Sequence, residues 1–365
     1  REVIMSATDG MDLAGAVPQD DLEALRRLIQ GITLAQGNIF IKELLRQKKI
    51  PLGATKAEFE KHMLAAIDNG TLQRADLEAW LDDVEGWGDQ HIYLYNIPRA
   101  ITSDALWRDP EHVHNRVVQA NLGDVWEAPT SLRFPEEPEL TCITFADSVL
   151  RLVWHEGSPG WVPEPGRNYE EIIDGDRYQF RAFRERARRV VTRFEMRLNV
   201  RLAALFIPVR INTPEHKAAI ELVEATVSRL LPFDVIRKKQ IVITEVIKNL
   251  DQANYAPAPN RRPDVVTQST RLTSGGAYVE FTSSSEDHGY AESPSIRQVR
   301  RTIRQQHLPE FSGSNGVLKF HRTDTNQLSR EVKVQLYGTD RRIRIWRRLT
   351  ASDVWNILSI IARHQ

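Results

Sequence analysis

A single cysteine, Cys142, stands in 365 residues. An intramolecular disulfide framework and a cysteine-based zinc site are therefore excluded, and a reducing intracellular compartment (cytoplasm, nucleoid or nucleus) is expected. No apolar run approaches the ~18 residues needed to cross a bilayer, so no membrane partner is expected, and no signal-peptide pattern is visible. Glycine-rich phosphate cradles are missing: neither G-x-x-x-x-G-K-[ST] nor G-x-G-x-x-G occurs, and G-x-S-x-G and H-E-x-x-H are absent too. These absences remove the common nucleotide-binding, serine-hydrolase and zinc-protease readings, and no cofactor or metal is expected. There are no internal repeats.

Net charge is also missing, since 49 Lys and Arg balance 49 Asp and Glu. The balance hides an asymmetry. Residues 1–175 carry 16 basic against 30 acidic side chains, a net of −14; residues 176–365 carry 33 against 19, a net of +14. An acidic half and a basic half point to different partners: a polyanion for the second, a protein for the first.

What is present begins with a helical region. Leu22, Leu25, Ile29 and Ile32 recur at helical spacing, as do Leu77, Trp80, Leu81 and Val84. Between them, residues 38–68 read as two helices joined by an extended segment. Asn38 is placed to cap the first, whose apolar residues are Ile41, Leu44 and Leu45. Ile50-Pro51 ends it, because the residue before proline is driven towards extended geometry. Thr55 and Glu58 then have capping-box spacing, with Phe59, Met63 and Ile67 on the inner face of the second helix. On Leu44, Arg46, Lys48, Ile50, Pro51, Gly53, Lys56, Glu58 and Phe59, this stretch resembles the SAP, or helix-extended-helix, family of small DNA-binding modules. It departs from that pattern by one extra residue between Gly53 and Lys56 and by His62 where arginine is common. The resemblance implies DNA contact through Arg46, Lys48, Lys49, Lys56 and Lys61.

The remainder alternates strands and helices. His91–Ile97 and Leu140–His155 read as strands, the latter turning at residues 146–148. Residues 157–166 (GSPGWVPEPG) read as a loop and as the best internal boundary. From Arg193 to Leu202 the alternation is strict, which predicts a half-buried strand with Arg193, Arg197 and Arg201 about 7 Å apart on an open face. Arginine as the only cation in this row favours forked contacts to phosphate, and Arg181, Arg184, Arg186, Arg188 and Arg189 extend the patch upstream. The row predicts that reversing the charges of Arg193 and Arg197 abolishes most duplex binding and spares the fold.

Further on, helices are expected at 214–231 and 238–250, then a basic proline-rich connector at 256–263. Gly275-Gly276 has hairpin spacing between two strands. A helix from Ser295 should turn Ile296, Val299 and Ile303 inward and Arg297, Arg300, Arg301 and Arg304 outward. Three strands follow, the last setting Arg342 and Arg344 opposite Ile343 and Ile345, and a helix at 352–362 closes the chain. The expected fold class is α+β: a small N-terminal helical domain and a mixed α/β region with antiparallel sheets. Its expected divisions are 20–86, 87–156, 167–255 and 264–365.

No catalytic set emerges. His112 and His114 lack companion ligands, and Glu280, Glu286, Asp287 and His288 are the one group that suggests Mg²⁺-dependent phosphodiester cleavage. The leading expectation is a non-enzymatic scaffold or adaptor subunit that grips nucleic acid by its backbone, duplex DNA first and RNA as a possibility. The alternatives are a nuclease subunit and an assembly subunit with charge-complementary halves. The order of an acidic helical domain followed by a basic sheet region is similar to the layout of the centromere protein N family, which implies a basic cleft for DNA.

Overall fold

The computed structural model describes residues 19–129, 134–209, 213–253, 264–285, 289–306, 311–323, 326 and 328–365. The connector 256–263, residues 286–288 and the side chains of Arg186, Arg188 and Arg304 lie outside the described residues.

Four helices open the described chain: α1 (Gln19–Ala35), α2 (Asn38–Gln47), α3 (Lys56–Asp68) and α4 (Arg74–Val84). Their apolar stripes close one core of Leu25, Ile29, Ile41, Leu45, Phe59, Met63, Leu77 and Leu81. The capping box forms as expected. The Glu58 amide donates to Thr55 Oγ1 at 3.2 Å, and Glu58 Oε2 accepts from the amides of Ala54 (2.5 Å) and Thr55 (3.4 Å). Asn38 does not cap α2; Gly37 holds that position in extended geometry, and no side chain bonds there. His62 Nδ1 sits 2.9 Å from the Pro51 carbonyl and ties the extended segment to α3.

The chain then builds β1 (Gly88–Asn96), α5 (Arg99–Thr102), α6 (Pro110–Gln119), β2 (Glu139–Ala146), β3 (Val149–Pro163), β4 (Tyr169–Ile173), β5 (Asp176–Phe180), β6 (Phe183–Arg197) and β7 (Leu202–Pro208). Next come α7 (Thr213–Ser228), α8 (Phe233–Arg237), α9 (Ile243–Ala253), β8 (Val265–Ser274), β9 (Ala277–Thr282), α10 (Pro294–Gln306), β10 (Ser312–Phe320), β11 (Val332–Tyr337), β12 (Arg342–Arg348) and α11 (Ala351–Ala362). Among the described residues, ten strands form one antiparallel sheet in the order β2-β3-β6-β7-β1-β12-β11-β10-β8-β9. Strands β4 and β5 pair by themselves. The fold is α+β, as expected.

Different helices cover different ends of this sheet. On one face α9 and α11 pack over Ile92, Phe206, Leu318, Val334, Ile343 and Ile345. On the other, α5 to α8 cover Phe145, Leu152, Trp154, Phe194, Leu205 and Ile207. The second face of β12, β11, β10 and β8 carries half-exposed polar side chains instead. The first face of β3 and β6 receives the N-terminal helices, with α1 lying against β6.

Several expectations change. Residues 157–163 are no loop, because they prolong β3 in register with Phe183–Arg189 of β6. The alternation at 193–202 is not a single strand: β6 stops at Arg197, and Arg201 sits in a turn at φ +55°. In α10 the faces are rotated, so that Val299 is exposed and Arg300 is buried over the Tyr290 ring.

Gly88 lies against the backbone of β12, at the irregularity in the β1–β12 register. Its φ is +73°, and a Cβ there would stand 2.0 Å from the Arg347 carbonyl oxygen. Gly88→Ala is expected to destabilise the chain by at least about 1–3 kcal/mol from backbone strain alone, read as a lower urea midpoint. An unchanged midpoint would show that the β1–β12 bulge yields freely.

Candidate nucleic-acid interface

The arginine row expected on β6 is mostly interior. Arg193 is 3% exposed. Its guanidinium lies 4.0 Å from the Trp87 ring centre and donates to the carbonyls of Glu85 (3.1 Å) and Gly86 (3.4 Å), which end α4. Burial, then the Arg151 charge, push its pKa down to about 10. Arg189 is buried in a two-pronged pair with the Glu85 carboxylate. Glu195, fully buried, accepts from Arg151 (3.0 Å) and Arg197 (2.7 Å), and Arg197 also stacks 4.4 Å from the Trp355 ring. Alternation reported correctly that these side chains share a face, but the acidic end of α4 covers it.

The other expected residues divide. Arg46, Lys49 and Lys61 are exposed, whereas Lys48 is ion-paired to Asp76. Arg181 and Arg184 are exposed, Arg181 donating to Gln179 (3.5 Å) and Arg184 near Glu164 (4.0 Å). Arg201 is exposed and donates to the Ile97 carbonyl. Arg301 is exposed on α10, Arg297 half-buried and Arg300 buried, while the side chains of Arg188 and Arg304 lie outside the described residues. His112 is exposed and His114 stacks on Trp126, and among the described residues no cluster of three metal-ligating side chains forms. Glu280, the strand-borne acid of the nuclease alternative, is chelated by Arg271 at 2.7 and 2.9 Å.

A cationic line does form, along β12. Its sequence RIRIWRR sends Ile343 and Ile345 into the core and sets Arg342, Arg344 and Trp346 on the opposite face, about 7 Å apart. Arg342 lies 4.3 Å from the Tyr337 ring, and Arg344 4.3 Å from the ring of Trp346, which is 49% exposed. Cations towards the far edge are neutralised, Arg271 by Glu280 and Lys319 by Glu331 at 3.1 Å. Arg342 has Asp340 at 3.0 Å, while Arg344 meets an indole and no carboxylate among the described residues.

At the end of β12 the helical domain adds to the line. Arg348 donates to Gln36 Oε1 at 3.3 Å, and Arg330 lies 4.7 Å from the Phe40 ring. Burial and then Arg348 lower the pKa of Lys56, and burial and then Arg347 lower that of Arg330. Like charges held this close favour an anion from outside. Lys56, Arg342 and Arg344 were expected here; Arg330, Arg347, Arg348 and Trp346 were not. The signal available for the last three was the WRR triplet, a tryptophan on the polar face of an arginine strand, and nothing local marked Arg330.

Beside Arg344 lies His91, its cross-strand partner on β1. The His91 ring stands edge-on to His216 of α7, with centres 5.2 Å apart, and His216 Nε2 is 2.7 Å from the Tyr93 hydroxyl. Burial, then Arg342, His216 and Arg344, push the His91 pKa down to about 3. An unfolded chain binds this proton near pH 6.5 and the folded one only near 3. Stability is therefore full above pH 6.5 and falls as pH drops through that window, by about 1 kcal/mol per pH unit. Urea midpoints between pH 7 and pH 4 measure the decline, and His91→Phe should flatten it.

No helix among the described residues is long and apolar enough to cross a membrane. No protein-family model matches the chain, and no curated protein matches it.

Proposed function

We propose that this protein is a non-enzymatic, intracellular nucleic-acid-binding subunit that grips the phosphate backbone of duplex DNA along β12 and the adjoining Lys56. The carrying observation is the line Arg342, Arg344, Arg347 and Arg348 on one strand, its last two members electrostatically coupled to Arg330 and Lys56. Guanidinium forks and a half-exposed indole suit phosphate oxygens and sugars. The resemblance of residues 38–68 to helix-extended-helix modules supports the same reading, since α3 brings Lys56 to the end of β12. A sheet-borne surface, with no groove-reading helix among the described residues, favours binding without sequence preference, and RNA phosphates offer the same chemistry.

A salt titration of the whole chain with duplex DNA, single-stranded DNA and RNA tests this. About four phosphate contacts predict a slope of roughly −3.6 in log affinity against log salt for the duplex. A slope near zero would remove the reading.

A second reading, a protein-assembly subunit, is favoured by the ribbon of β4 and β5. Ile172 is 73% exposed there, and Tyr169 and Tyr178 are also open, as is Trp161 on β3. Charge complementarity between the halves is used internally, where Glu85 holds Arg189.

A further inference from the structure

We infer that a discrete oxyanion pocket lies where the first turn of α7 meets β1 and β12, built by His91, Tyr93, His216, Arg342 and Arg344 to take a tetrahedral phosphate or sulfate. This deepens the reading above, on which it rests for the polymer alone.

Three buried nitrogens carry the inference. His91 is 8% exposed, and its Nδ1 has no hydrogen-bond partner. The Nε atoms of Arg342 and Arg344 are buried without partners as well. His91 and Arg344 are paired across β1 and β12, and Arg342 lies two residues along the same strand. Unsatisfied buried polar nitrogens are rare because each forfeits its water without a replacement, and one anion with several oxygens would serve both arginine Nε–H groups and His91 in its Nδ1–H tautomer.

The surroundings select the sign of that acceptor. Both guanidiniums are cationic, and Asp340 offsets one of them only. His216 is the fourth residue of α7, a 16-residue helix, so the positive end of the helix dipole adds to the field. Its ring is held by Tyr93 at 2.7 Å and stands perpendicular to His91. Two imidazoles kept neutral by burial and by Arg342 can each donate one N–H. Two guanidiniums, two imidazole N–H groups and the positive end of α7 suit a tetrahedral anion better than a planar carboxylate, for which one fork would suffice.

The oxyanion is either a phosphodiester of a bound polymer or free phosphate. Sodium sulfate and inorganic phosphate, each titrated against sodium chloride at constant ionic strength, test the pocket on the full chain through thermal shift and the ring nitrogen NMR signals of His91. We expect a saturable shift with sulfate that chloride does not reproduce. Arg344→Gln, a change at a half-exposed position, should weaken it at least tenfold, and Lys238→Gln, at an exposed site just after α8, should leave it unchanged. No shift beyond that of chloride, or equal affinity in Arg344→Gln, overturns the pocket. Sulfate displaced by duplex assigns the site to the polymer backbone; sulfate bound by a chain that ignores duplex assigns it to free phosphate and sinks the nucleic-acid reading instead. Duplex binding in a chain that ignores sulfate leaves that reading and removes the pocket.

Discussion

Arg193→Glu is expected to destabilise the fold by about 3–5 kcal/mol, the range seen when one partner of a buried charged network is removed. The substitution withdraws a cation from the Trp87 face and from two carbonyls at the end of α4, then sets a carboxylate there. Glu195, Asp82 and Glu85 are the neighbouring acids whose charges Arg193 now offsets. Urea unfolding measures the loss. Arg193→Met, which keeps the stem and its packing on Trp87, should be milder than Arg193→Glu, since it removes a charge and introduces none. A wild-type urea midpoint for Arg193→Glu would mean that the α4–β6 seam is open in solution. This outcome separates the buried row from a binding row, for which the fold would be spared and only duplex binding lost.

Reversing Arg344 and Arg347 together should have the largest effect on binding. Arg344 has no carboxylate partner among the described residues and stacks on a half-exposed indole, and Arg347 is exposed at the end of the same strand. The double change Arg344→Glu with Arg347→Glu is expected to weaken duplex binding on the order of 100-fold near 150 mM salt and to make the salt slope shallower by about 2, one unit per lost contact. The thermal midpoint should move by a few degrees at most, because neither side chain lies in the core. Arg46→Glu, at an exposed site on α2, is the comparison and should cost less than tenfold. If the double variant binds like the wild type with the same slope, β12 is not the footprint, and exposed cations elsewhere, such as Arg181 and Arg301, become the ones to reverse.

Local signals carried far along this chain, and where they failed is informative. The Thr55–Glu58 box, the Gly275-Gly276 hairpin and the alternation of β12 were legible because each depends on neighbours within a few residues. Asn38 misled because Gly37 already satisfies the extended geometry that precedes α2. Residues 157–163 misled because prolines and glycines normally punctuate strands, yet this stretch finds a full-length partner in β6. The α10 faces were misassigned because the Tyr290 ring offers Arg300 a buried seat that periodicity does not encode.

The amino-acid order by itself determined the α+β class, the four leading helices and the side chains that share each strand face, since these follow from spacing and capping. Which faces meet water was decided only by the tertiary structure. A period of two places Arg193 and Arg344 on equivalent polar rows, but α4 closes over the first, while only the first turn of α7 reaches the second and Arg344 stays half-exposed. The physical reason is distance along the chain. The groups that bury Arg193 come from about a hundred residues upstream, and no local pattern records such a contact.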